Sequence, residues 1–190
     1  MFGEHAELPV AVSDRYARQA AHDLRDSLIS DIEMRRNING DPMITHHELA
    51  QLQFLYNLLE SVKQHEGQPP RFLLGFEHDG RSITSVGNPD TATRTVVFAP
   101  GTFTSHHSLN PSLERPGLKN WFGFKERFEK PGYMEVSRRI HQALTNELRH
   151  SDVAVVDYQN YHAPQSLANP VTGAPNARFA HDGAAELRNH

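Results

Sequence analysis

Two short apolar runs, separated by a helical pattern, dominate the second half of the chain. The first covers residues 95–98 and stops at Pro100-Gly101, and the second covers residues 153–158. Residues 133–149 between them have the apolar spacing of an amphipathic helix. A strand, a helix and a strand in this order predict a βαβ unit in a parallel sheet that is buried on both faces.

The carboxyl ends of these two strands are the expected place for chemistry. Open parallel sheets bind their ligands at that edge. Gly101 and Thr102 follow the first strand, and Asp157 and Tyr158 end the second. The sequence therefore predicts the position of a site, although it does not show a complete set of reacting groups.

The first part of the chain has helical periodicity. Residues 13–37 carry a predicted stripe of apolar side chains at four-residue spacing, namely Tyr16, Ala20, Leu24, Leu28 and Ile32. A second helix is predicted from Thr45, because Thr45 and Glu48 have the pattern of a capping box. Neither helix can bury its apolar face alone. We therefore expect the two to pair as an antiparallel hairpin.

A change in composition after Gly67-Gln-Pro-Pro70 marks the start of the sheet. Residues 71–76 and 82–87 are predicted strands, joined by a tight turn with Asp79-Gly80 at its tip. Residues 102–132 and 159–175 are predicted to be loops, and the final segment 177–190 a helix.

The expected fold class is therefore α/β, with a mostly parallel sheet preceded by an α-helical hairpin. We divide the chain into a helical region, 1–68, and a sheet-bearing region, 69–190. If the strand at 153–158 ended the sheet, it would leave a long apolar edge unpaired, which proteins usually cover. We expect that edge to be completed by further polypeptide or by self-association.

Composition narrows the classes of function. The 190 residues carry a formal net charge of −4 and show no basic tract, which disfavours nucleic-acid partners. The absence of cysteine excludes disulfides, thiolate metal sites and cysteine nucleophiles. No secretory signal pattern and no membrane-spanning apolar run appear. We expect a cytoplasmic protein, or one exported without a classical signal peptide.

Thirteen histidines make a metal site worth testing. His46-His47-Glu48 lacks the spacing of a zinc-binding helix, and neighbours on a helix point about 100° apart. Ser105-His106-His107 places a hydroxyl beside imidazoles, but sequence neighbours seldom have the geometry of a triad. We expect polar positions at a helix start and in a loop, and we predict no metal and no cofactor.

Four segments together resemble a known family. They are Phe72-Leu-Leu-Gly-Phe-Glu-His-Asp-Gly80, Val86-Gly-Asn-Pro-Asp-Thr-Ala92, Val96-Val-Phe-Ala-Pro-Gly-Thr102, and Val153-Ala-Val-Val-Asp-Tyr158 with Tyr161-His-Ala-Pro-Gln165. In this order they are similar to an α/β-hydrolase-like family known mainly from actinobacterial proteins. The resemblance covers roughly residues 70–190, and it implies that the sheet is the N-terminal half of such a domain.

The family implies a serine nucleophile in a Gly-x-Ser-x-Gly elbow, followed by Asp and His. No such elbow occurs in these 190 residues. By resemblance, the backbone of Gly101, Thr102 and Phe103 supplies part of an oxyanion hole. The implied activity is hydrolysis of a small ester or acyl substrate, with the triad outside this chain, which alone would be inactive. The alternative is a non-catalytic module that binds a partner through its sheet edge and aromatic loop.

Asp157, Tyr158, Tyr161 and His162 are candidates for a substrate pocket. The simpler interpretation of Asp157 is that it accepts a hydrogen bond in the following loop. The alternative for Tyr158, Tyr161 and His162 is that they only cover the end of the sheet. The aromatic cluster Trp121-Phe-Gly-Phe124 is either a lid over the site or a local cluster beneath a long loop.

Overall fold

A computed structural model describes residues 8–39, 44–99, 133–148 and 152–159 of the chain. These residues form three helices and four strands: α1 (Val10–Asn39), α2 (His46–Ser61), β1 (Arg71–Phe76), β2 (Ser82–Val86), β3 (Arg94–Phe98), α3 (Tyr133–Glu147) and β4 (Val153–Gln159). The predicted loops after Ala99 and after Gln159, and the predicted final helix, lie outside the described residues.

The predicted helical hairpin is confirmed. Arg35 near the end of α1 bonds to Glu48 at the start of α2, whereas Arg18 near the start of α1 donates to the Val62 carbonyl oxygen at the end of α2. The two helices are therefore antiparallel. The capping box is also present, because the Thr45 hydroxyl accepts a hydrogen bond from the Glu48 amide while the Glu48 carboxylate accepts one from the Thr45 amide.

One apolar core joins the hairpin to the sheet. Its buried members come from α1, the end of α2 and β1, namely Ala21, Phe54, Leu55, Leu58, Val62 and Leu73. The predicted stripe on α1 is confirmed in part: Leu24 packs against this core and Ile32 is buried, whereas Tyr16 is exposed and Ala17 packs against the core beside it. The burial of β1 in this core thus depends on both helices.

The sheet is mixed, so the prediction of a mostly parallel sheet was wrong. Its strand order is β1-β2-β4-β3. β2 follows β1 through the tight turn at Asp79-Gly80 and runs antiparallel to both of its neighbours, β1 and β4. Only β3 and β4 are parallel. β2 is the hairpin partner of β1 and also pairs with β4. Two of the three strand pairings are therefore antiparallel.

β4 lies inside the sheet, which corrects the expectation that the last strand ends it. All seven of its residues are buried between β2 and β3. β3 instead occupies the edge. Its apolar sequence predicts burial on both faces, but most of its residues are exposed. Val96 is 36% exposed and Val97 is 49% exposed, and no strand among the described residues pairs with the outer side of β3.

The opposite edge of the sheet, at β1, is closed by side chains. The Leu73 amide donates to the Asp14 carboxylate at 2.6 Å, and the Arg71 carbonyl oxygen accepts from Arg18 at 2.9 Å. Gln64 bonds to both the amide and the carbonyl of Arg71. These three side chains take the hydrogen-bonding role of a neighbouring strand.

Candidate functional site

The predicted βαβ unit is present as β3, α3 and β4. The two strands are parallel neighbours, and Phe98 at the end of β3 pairs with Asp157 near the end of β4. The carboxyl ends of both strands therefore lie side by side, at the edge where open α/β sheets bind ligands. This arrangement makes that edge the candidate site.

Asp157 is a titratable group that the fold places there. Its side chain is 1% exposed. One carboxyl oxygen, Oδ2, accepts a hydrogen bond from Gln159 Nε2 at 3.1 Å, and Oδ1 has no partner among the described residues. Burial raises the pKa of Asp157 to about 7, and the bond from Gln159 opposes that rise only in part. Asp157 can therefore hold or release a proton near neutral pH.

Strand register surrounds Asp157 with polar neighbours. Thr84 pairs with Asp157 and Ser82 pairs with Gln159 across β2 and β4. Directly opposed residues of an antiparallel pair share one face of the sheet. All four side chains are buried. We call Ser82, Thr84, Asp157 and Gln159 the Asp157 cluster.

The same face becomes apolar away from the carboxyl end of β4. Val86 pairs with Val155, and both are fully buried. Polar side chains in a buried sheet cost free energy unless they are hydrogen-bonded. Their concentration at one end of the face is therefore a feature that hydrophobic packing does not explain.

The first turn of α3 packs over the Asp157 cluster. The Thr84 hydroxyl lies 3.0 Å from the Met134 sulfur, in the first turn. Two turns further along α3, His141 bonds to the backbone of Val153, the first residue of β4. Hence α3 runs antiparallel to β4, and its N-terminus, where amide groups lack intrahelical partners, points to the candidate site.

The charged groups at the start of α3 are already paired. Glu135 accepts two hydrogen bonds from Arg138, at 2.7 and 2.6 Å, and one from Arg139 at 3.0 Å. The bonds from Arg138 are the main reason that the pKa of Glu135 falls to about 2. The Glu135 carboxylate is therefore already bound in ion pairs within α3.

Asp157 and Tyr158 are not brought together. Successive side chains of a strand point to opposite faces. Tyr158 is buried with Ile83 and Val156 on the face away from the Asp157 cluster. β4 thus contributes to both faces of the sheet, and only Asp157 belongs to the polar end described above.

The other candidate residues have less structural support. Gly101, Thr102, Phe103, Tyr161 and His162 lie outside the described residues, as do Ser105-His106-His107 and the aromatic cluster 121–124. His46 and His47 begin α2. Within the described ranges, no group of three or more His, Asp or Glu side chains is placed to hold a metal ion.

Sequence reasoning missed three members of the Asp157 cluster. Ser82 and Thr84 lie in a strand that was predicted, but they were not among the site candidates, and all five residues of β2 are buried. Gln159 was expected in a loop, yet it ends β4. Only the pairing of β2 with β4 identifies them, and no local sequence signal carries that pairing.

No described helix combines the length and the apolar content needed to cross a membrane. Comparison of the chain with models of protein families, with curated proteins and with solved structures finds no match.

Proposed function

We propose that residues 69–190 are the N-terminal part of a serine-type α/β hydrolase that acts on a small ester or related acyl substrate. In this proposal the chain supplies part of the oxyanion hole. The Ser-Asp-His triad comes from residues outside this sequence, in the same polypeptide or in a second one.

The sheet topology is the observation that carries the proposal. An α/β-hydrolase sheet begins in the order β1-β2-β4-β3, with β2 antiparallel to its neighbours, and the present sheet has that order and those directions. Topology supports a fold more strongly than an activity, since one fold hosts many functions. The position of the candidate site, beside the connection from β3 to α3, is the second observation that supports a hydrolase activity.

The connection from β3 to α3 supports a role in acyl transfer. In these hydrolases one oxyanion-hole amide comes from the loop between the third strand and the first helix after it. Gly101-Thr102-Phe103 lies in that connection, separated from the end of β3 by two residues. A parallel strand paired with the outer side of β3 would bring its own carboxyl end, and a serine elbow there, to the same edge of the sheet.

The chemical role of this segment would be electrostatic. A backbone amide fixed near the reacting carbonyl stabilises the negative oxygen of the tetrahedral intermediate. Gly101 has no Cβ, so the backbone can approach the substrate closely. Asp157, one strand away, would contribute a carboxyl group that changes protonation near neutral pH.

Proline substitutions test this role, because proline removes one amide without adding charge. In the completed assembly, Thr102→Pro or Phe103→Pro, whichever removes the donor, should slow acylation by a fluorophosphonate about 100-fold to 1000-fold. The other variant and Ser105→Pro serve as matched controls for loop distortion. Equal rates in all three variants and the unmodified protein would contradict the proposed oxyanion role.

The open side of β3 supports a second candidate, a non-catalytic binding module. Its exposed Val96 and Val97, and an outer side on which no described strand lies, suit the addition of a strand from a partner protein. A folded assembly that binds such a partner and never reacts with a serine-directed probe would favour this candidate.

A further inference from the structure

We draw no further inference here: the strongest candidate, the open outer edge of β3 with Val96 and Val97 exposed, is an unpartnered apolar surface, and nothing in the described part of the chain shows what covers it.

Discussion

Burial of the Asp157 carboxyl couples its protonation to folding. Its pKa is about 7 in the folded chain, against an ordinary value of 3.8. Below pH 4 both the folded and the unfolded chain carry the proton, and the contribution of this group to the free energy of unfolding is at its maximum. As the pH rises from 4 to 7, the unfolded chain loses the proton first, so the free energy of unfolding falls, by at most about 1.4 kcal/mol per pH unit. Above pH 7 this contribution is lost.

Asp157→Asn tests that coupling, because it keeps the shape and removes the titration. We expect the unmodified protein to lose stability relative to Asp157→Asn between pH 5 and pH 8, measured by urea unfolding. His141, whose pKa burial lowers, has the opposite dependence in this range, but it is common to both proteins and cancels in the difference. Asp152→Asn, at an exposed position just before β4, is the control. A constant difference between the two proteins across this range would show that Asp157 is not buried as described.

Gly87 is required by a close approach of two backbone segments. It has φ +82°, and a Cβ there would lie 2.3 Å from the Val153 carbonyl oxygen. Gly67 also has a positive φ, of +73°, but a Cβ there would meet no atom within 4 Å. The two glycines therefore share the conformational requirement and differ in the steric one.

Alanine at each position separates the two effects. We expect Gly67→Ala to lower the free energy of unfolding by about 1 kcal/mol from backbone strain alone. Gly87→Ala should cost about 3 kcal/mol or more, because the clash is with backbone that no rotamer change can relieve. Urea unfolding of both variants measures the difference. Similar losses for the two variants would mean that β4 does not approach Gly87 this closely.

At the scale of elements, α1 closes the β1 edge through side chains rather than through a strand. Asp14 accepts from the Leu73 amide and also holds Arg18, which donates to Arg71 and Val62 carbonyl oxygens. We expect Asp14→Ala to lower the free energy of unfolding by about 1–3 kcal/mol, since it leaves a partly buried amide without its acceptor.

Asp23→Ala is the matched control for that experiment. Asp23 lies on the same helix, and its hydrogen bond is to the exposed Gln19 side chain. Both substitutions replace aspartate by alanine within a helix, so their effects on helix propensity are alike. We expect a change within about 0.5 kcal/mol for Asp23→Ala. If the two variants unfold alike, Asp14 does not close the edge.

Individual elements follow from local sequence signals where those signals are strong. The capping box at Thr45 and the Asp79-Gly80 turn each specify local geometry, and both are present. The apolar periodicity of α1 predicted the helix and part of its buried face, since Leu24 packs against the core and Ile32 is buried. Tyr16 fits the predicted stripe, yet it lies exposed, because the position of α1 is set by bonds to the distant β1 edge.

At the scale of the whole molecule, the order of strands did not follow from the sequence. Apolar runs predicted β3 and β4 equally well, but burial depends on position in the sheet. β4 is inserted between β2 and β3, so it is buried, whereas β3 lies at the edge and is exposed. The Asp157 cluster depends on the same long-range pairing, and for that reason only Asp157 was a candidate in advance.

The central proposal is that this chain belongs to a serine hydrolase whose nucleophile lies outside residues 1–190. The most direct test is reaction of the natural assembly with a fluorophosphonate, followed by intact mass and site mapping of every polypeptide under denaturing conditions. We expect one adduct, on a serine outside residues 1–190, and none on residues 1–190 purified alone. A folded, complete assembly that takes no adduct, or an adduct on a serine within residues 1–190, would contradict the proposal.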